Sequence, residues 1–198
     1  MFQTASGVTI PFPEKIHEEY QIYDTGFTLN LSFEKLKPFV DEFIEGLSEP
    51  LFLVLEFPLS QYEEEELRKS NTDSFHKKVC YLDGQSKVQI QEIMQKYGEL
   101  LLNDGMSQFA VYSHGTMDGV YVQKYKIVSI YGPNPPQYLD FLHKYGVVET
   151  DKLLTVWNTF THETPGEART IKVDGIDCFQ LFLELEKLGM YVAKIVED

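Results

Sequence analysis

The sequence contains few of the residues on which many functional sites depend. Its 198 residues include two arginines and two cysteines, and 17 basic residues stand against 31 acidic ones, a net charge of -14. Such a field repels phosphate backbones and anionic membranes, and arginine is the preferred residue for gripping phosphate. The composition argues against nucleic acids and membranes as partners. It favours a protein partner, a basic one above all, with acidity that only maintains solubility as the alternative.

Long apolar runs and familiar cofactor motifs are also missing. No stretch approaches the roughly 18 apolar residues of a membrane-spanning helix, and the N-terminal segment lacks the pattern of a secretory signal. Cys80 and Cys178 have no CxxC or Cys–His spacing, which predicts buried free thiols. The chain has no P-loop, no dinucleotide-binding glycine motif and no serine-nucleophile motif. We therefore expect a cytoplasmic protein without a cofactor.

The apolar content is sufficient for a packed core, with 43% hydrophobic and 14% aromatic residues. Segments of helical and strand periodicity alternate along the chain. This order predicts one α+β domain over residues 1–198, a mixed, mostly antiparallel sheet covered by about four helices. The helices are expected at 37–47, 86–105, 134–146 and 177–189.

Three local expectations follow from single residues. The first helix should begin near Lys37, because Pro38 is tolerated only in a first turn. Gly105 suits a left-handed end of the second helix. Segment 51–57, "LFLVLEF", is a continuous apolar run, typical of a strand buried on both faces.

Segment 60–78, "SQYEEEELRKSNTDSFHKK", interrupts this pattern and predicts a mobile acidic excursion. Four adjacent glutamates are most simply a solvated turn of helix, and a recognition surface is the alternative. As candidate binding residues they are Glu63, Glu64, Glu65 and Glu66.

Tyrosines concentrate on two neighbouring segments. The alternation of residues 119–131 predicts one strand with Tyr121, Tyr125 and Tyr131 on the same face, beside Tyr112 of the preceding strand. Packing by a helix is the simpler role for such a face. Recognition is the alternative, because tyrosine provides contact area at low entropic cost.

Segment 156–169, "VWNTFTHETPGEAR", holds the only tryptophan of the chain and one of its two arginines. We predict a loop between two strands, at 153–160 and 168–175, that carries binding residues. The simpler interpretation buries the tryptophan in the core and pairs the arginine with a nearby acid. The candidate binding residues are Trp157, Thr161, His162, Glu163 and Arg169.

The run "HETPG" does not form a zinc-protease motif, since Gly166 stands where a second histidine is needed and Pro165 would break the helix. No metal site is expected. If the protein is an enzyme, we expect a cleft that combines His114, His162 and Glu163.

The segments "LLNDGMSQFAVYSH", "YKIVSIYG", "LLTVWNTFTHETPGEAR" and "GMYVAKIVED" resemble a group of uncharacterised bacterial proteins of about this length. This resemblance implies no activity and no functional residue. In its acidic, aromatic-rich character the chain is also similar in type to the immunity proteins of bacterial toxin systems. The sequence thus predicts a non-enzymatic protein-binding module, such as an immunity protein that masks a basic toxin. The alternative is a hydrolase-type enzyme of unknown substrate.

Overall fold

A computed structural model describes residues 2–198 as one α+β unit built around a nine-stranded sheet. The helices are α1 (Phe33–Gly46), α2 (Gln61–Leu67), α3 (Lys87–Asn103), α4 (Leu139–Lys144) and α5 (Cys178–Glu186). The strands are β1 (Val8–Thr9), β2 (Glu19–Tyr23), β3 (Gly26–Leu29), β4 (Leu51–Pro58), β5 (His76–Gln85), β6 (Gln108–Ser113), β7 (Gly119–Val122), β8 (Val128–Tyr131), β9 (Val148–Glu149), β10 (Glu167–Ala168) and β11 (Tyr191–Glu197).

The large sheet has the strand order β11-β5-β4-β6-β7-β8-β3-β2-β9, and β1 pairs with β10 in a separate two-stranded sheet. Only the β2–β9 pair is parallel. The predicted α+β class and mostly antiparallel sheet are confirmed. None of the helices within residues 2–198 has the length and apolar character needed to cross a bilayer.

The helices cover one face of the sheet. Leu51, Leu53, Leu55 and Phe57 alternate along β4 and pack with buried residues of four helices, α1, α3, α4 and α5. The residues between them point to the opposite face, where the packed cluster around Val54 comes from strands only. Segment 51–57 is the central strand that the apolar run predicts, but its burial on the second face is complete only at Val54, since Phe52 and Glu56 are half-buried. An antiparallel sheet can leave one face free of helices, and this sheet does so.

Helix ends follow the sequence signals in part, since the helix expected at 134–146 is a 3-10 helix, Pro135–Tyr138, followed by the short α4. Capping boxes begin α3 at Ser86 and α5 at Asp177, as their spacing predicts, and a third at Ser60 begins α2 inside the predicted excursion. The expected start of α1 near Lys37 was wrong. The helix begins at Phe33 with Pro38 in its interior, where burial of its apolar face outweighs the missing backbone donor.

Two predicted strands near the C-terminal half were also wrong. Segment 153–160 contains a 3-10 helix, Val156–Thr159, and segment 168–175 has only the end of β10. The single strand expected over 119–131 is a hairpin, because Tyr125 and Lys126 adopt left-handed backbone angles between β7 and β8. The alternation of polar and apolar residues continues through 123–127, and this segment has no glycine or proline. Periodicity alone therefore could not distinguish the turn from a continuous strand.

Three backbone segments cross at the start of β6. The backbone N–H of Gly7 donates to the carbonyl of Asn103 at 2.9 Å, and the Gly7 carbonyl accepts from the backbone N–H of Arg169 at 2.9 Å. The carbonyl of Arg169 in turn accepts from the backbone N–H of Gly105 at 3.0 Å. A Cβ atom on Gly105 would lie 2.0 Å from the Gly7 carbonyl oxygen. Gly105 is thus required for close approach, and the predicted left-handed helix end at this residue was wrong.

Two buried charged residues, Asp104 and Lys126, support this crossing through backbone hydrogen bonds. Asp104 is fully buried and accepts backbone N–H groups from Met106, Ser107 and Ile171. The Lys126 ammonium donates to the carbonyl of Leu101 at 3.0 Å, near the end of α3. Burial lowers the pKa of Lys126 to about 8, although the charge of Asp104 opposes that shift. The two charges therefore join α3, β6 and the β7–β8 turn.

Substitution of Gly105 by alanine tests the crossing. Because the new Cβ would meet backbone on a second segment, the free energy of unfolding should fall by about 2–3 kcal/mol. Gly46→Ala is the matched control, since nothing lies within 4 Å of a Cβ there. In the last turn of α1, alanine should raise stability by up to about 1 kcal/mol. Urea unfolding measures both, and equal effects of the two substitutions would contradict the crowding argument.

Candidate functional site

The helix-free face of the sheet carries a row of aromatic side chains, which we name the aromatic ladder. Neighbouring ring centroids lie 6.3, 6.1, 5.3 and 6.1 Å apart, and three of the four pairs are stacked. The row crosses six strands from β11 to β8. In order, its members are Tyr191, Tyr81, Phe52, Tyr112 and Tyr131.

Strand register explains why these rings meet. Tyr191 pairs with Tyr81, Phe52 with Tyr112, and Gly119 stands between Tyr112 and Tyr131. A Cβ on Gly119 would lie 1.9 Å from the Tyr112 ring, so the ring covers the glycine. Aromatic cover of a strand glycine closes a gap in the sheet surface and holds the ring flat.

A depression of about 390 Å³ lies beside the ladder. Its floor consists of the small buried side chains Val54, Val79 and Ala110. On the side away from the ladder, Glu56 accepts from Lys77 at 2.6 Å and lies 3.1 Å from the Tyr121 hydroxyl. The depression therefore has an apolar floor, an aromatic wall and a wall of paired charges.

Two tyrosine hydroxyls of this face, those of Tyr112 and Tyr121, are held in their neutral form. Burial raises the pKa of Tyr112, and the neighbouring Tyr131 and Glu56 raise it further. Burial is also the main cause of the raised pKa of Tyr121, with the Glu56 carboxylate as the second. Both groups therefore remain hydrogen-bond donors at neutral and mildly alkaline pH.

His114 lies beside the middle of the ladder. Its ring is 4.5 Å from the Phe52 ring, and its Nε2 is 3.4 Å from an oxygen of Asp83. Asp83 also accepts the Tyr191 hydroxyl at 2.8 Å. His114 is thus part of the aromatic face.

His162 and Glu163 lie elsewhere. Segment 156–169 adjoins the start of β6, where Gly105 binds Arg169, whereas His114 follows the end of that strand. Six residues of β6 span about 20 Å. The structure does not bring together the three side chains expected of an enzyme. Among the described residues, no cluster of three His, Cys, Asp or Glu side chains is arranged to hold a metal.

Segment 156–169 forms a compact turn with one exposed anchor. Trp157 is 49% exposed, in contrast to the core role considered from the sequence, and its ring meets those of Tyr125 and Phe160 edge to face at 4.8 and 5.3 Å. Thr161 and Thr164 bond each other and close the turn. Arg169 donates to the carbonyl of Ser6 instead of pairing with an acid.

The four glutamates of the excursion have different roles. Glu63 closes the cap of α2 and binds Lys78 at 2.5 Å. Glu64 is buried and accepts from both the backbone N–H and the ring Nδ1 of His76. Glu65 and Glu66 are exposed, so only these two are free to meet a partner directly. The mobility expected of the excursion stays a prediction.

Sequence reasoning identified Tyr112, Tyr121 and Tyr131 but missed Tyr191, Tyr81 and Phe52. Their side-chain direction could have been derived from the alternation in 76–85 and 191–197, but their alignment required the strand register. Both cysteines are buried and free, as predicted.

Comparisons with protein-family models, curated proteins and solved structures give no match to this chain.

The raised pKa values predict how stability depends on alkaline pH. An unfolded tyrosine loses its proton near pH 10, whereas folded Tyr112 retains it, so the stability that Tyr112 contributes is complete below pH 10 and falls above it. Tyr112→Phe removes this titration and keeps the ring. Above about pH 10 the variant should lose stability more slowly than wild type, by up to about 1 kcal/mol per pH unit. Urea unfolding between about pH 8 and 11 measures the difference, and parallel curves would contradict the assignment.

Proposed function

We propose that this chain is a protein-binding module and that the aromatic ladder, with the depression beside it, is its contact surface. The observation that carries the proposal is the absence of helices over this face within residues 2–198, although it bears five aromatic side chains. Aromatic residues dominate the energetics of many protein interfaces, because they bury a large area at little entropic cost. A contiguous aromatic surface of this kind is typical of an interaction site.

The net negative charge of the whole molecule, and not the charge at the aromatic face, supports a basic partner. At the face itself acids and bases nearly balance, with Glu56, Asp83, Glu197 and Asp198 near Lys77, Lys124 and Lys194. The net charge of -14 therefore arises mainly from other surfaces. Such a field accelerates encounter with a basic protein, and the aromatic contact then determines how long the complex lasts.

Two of the segments singled out from the sequence border the same end of the face. Lys124, in the β7–β8 turn, forms an ion pair with Asp198. The ring of the adjacent Tyr125 contacts the Trp157 ring edge to face. On the other side of Asp198 a cavity connects to the excursion and its exposed Glu65. Trp157 and Glu65 are placed to extend the contact at the edge. The finer proposal is that the partner is a basic toxin, which the chain masks as an immunity protein does.

The hydrolase alternative has less support. It required His114, His162 and Glu163 to share a cleft, and the length of β6 separates the first from the other two.

Capture from a bacterial lysate on immobilised protein tests the proposal. Tyr81→Ala combined with Tyr112→Ala should abolish capture of a specific protein that wild type retains. Leu183→Ala is the control, since this residue is 52% exposed on α5, in the helical layer on the other face. Raising NaCl from about 50 to about 500 mM should slow association with the purified partner by at least about tenfold.

Two outcomes would overturn parts of this proposal. Equal capture by the ladder variant and wild type would exclude the aromatic face, and salt-insensitive association would exclude electrostatic steering. The toxin proposal requires in addition that the captured protein arrests growth when produced alone and is tolerated when produced together with this chain.

A further inference from the structure

A cavity lies away from the aromatic ladder, between the excursion and the start of β5 and β6. Its volume is about 640 Å³, within the range of small-molecule sites, about 300–1,000 Å³. Leu59, Phe75 and Met106 contribute apolar wall. Arg68 and His76 are among the polar side chains that line it.

Arg68 is held in place by two backbone carbonyls and an aromatic ring, and the Asp73 carboxylate lies near enough to interact with its charge without a direct ion pair. Its guanidinium stacks on the Phe75 ring, 4.0 Å from the centroid. Its Nε donates to the carbonyl of Asp73 at 3.0 Å, and its Nη2 donates to that of Asn71 at 3.1 Å. An arginine has five N–H donors, so three remain without an acceptor within residues 2–198. No carboxylate of the described chain lies within the 4.0 Å of an ion pair.

Two carboxylates of the wall, Glu64 and Asp198, are already engaged by other groups of the chain. Glu64 is bound by the backbone and ring of His76, at 2.5 and 3.0 Å. Asp198 is paired with Lys124 and lies 4.0 Å from Lys77. Glu65 is exposed to solvent, where its charge is screened. Lys69 is exposed as well, so solvent screens its positive charge in the same way and Arg68 is the main cationic group of the wall.

We infer that this cavity binds a small carboxylate with an apolar, planar body, whose carboxylate pairs with Arg68 while its body lies against Leu59, Phe75 and Met106. In a chain of net charge -14, an arginine fixed by two carbonyls and a ring, with three free donors, is preorganised for an anion. Preorganisation reduces the entropic cost of binding, and the apolar wall gives selectivity for the ligand body. The inference does not rest on the protein-binding proposal, because it is argued from Arg68 and the apolar wall, although Glu65 and Asp198 border both surfaces.

Isothermal titration of the full chain with 1-naphthoate, used as the probe, tests the inference. The uncharged 1-naphthamide is the matched ligand control, and it should bind at least about tenfold more weakly, because it cannot form the ion pair. Arg68→Gln should weaken naphthoate by at least about tenfold and leave naphthamide nearly unchanged. Arg169→Gln is the matched protein control, since it removes the only other arginine, which lies outside the cavity.

A second variant separates loss of the site from loss of the local fold. Met106→Trp fills the cavity from the side of β6 and leaves Arg68 and its carbonyl partners in place. It should abolish binding of both probes while the circular dichroism spectrum is retained. Failure of wild type to bind naphthoate would overturn the inference. Equal binding of naphthoate and naphthamide, or equal binding by wild type and Arg68→Gln, would overturn it as well.

Discussion

The arrangement of this chain depends on two buried charged residues, Asp104 and Lys126, each of which is held by backbone groups of other segments. Asp104 has no exposed surface and binds three backbone N–H groups, and Lys126 binds two carbonyls. A charge buried alone costs several kcal/mol, so each ion is tolerable only while its backbone partners are in place. The two residues therefore require the end of α3, the start of β6 and the β7–β8 turn to assemble together. The close approach of Gly7 to Gly105 beside it adds the N-terminal segment and Arg169.

The two faces of the sheet differ in whether helices pack against them. Four helices pack through apolar side chains against the face that Leu53 and Val111 line. The segments that contain Gly7, Gly105 and Arg169 meet next to the start of β6. On the opposite face the packed side chains all belong to strands, and they form the aromatic ladder and the floor of small side chains beside it. Stacked rings can protect such a surface from water in part, yet the terminal ring, Tyr191, is still 50% exposed. The face is ordered without being covered, the state expected of a preformed contact surface.

The fold class and most helix boundaries could be predicted because they depend on local signals. Ser86 and Asp177 cap their helices through residues three positions away, and this information is present in the sequence itself. Segment 156–169 was predicted less well, because a 3-10 turn and a strand present the same short apolar pattern. Gly105 shows a different limit. Gly105 is needed because the Gly7 carbonyl, far away in sequence, lies where a Cβ atom would be. No local sequence pattern indicates a contact between two such distant segments. The ladder likewise required the pairing of β11 with β5 and of β4 with β6.

The edge strand β11 shows how this chain can expose aromatic surface and avoid association with itself. It contributes Tyr191 to the ladder, and the outer edge of β11 has no neighbouring strand in the described sheet. A free edge beside exposed Tyr191, Val192 and Ile195 would normally favour pairing with a second copy. The register shifts between Val192 and Lys194, which bends the strand, and Lys194 places a charge at the bend. The net charge of -14 also makes two copies repel each other. These features disfavour edge-to-edge pairing of β11 with a second copy.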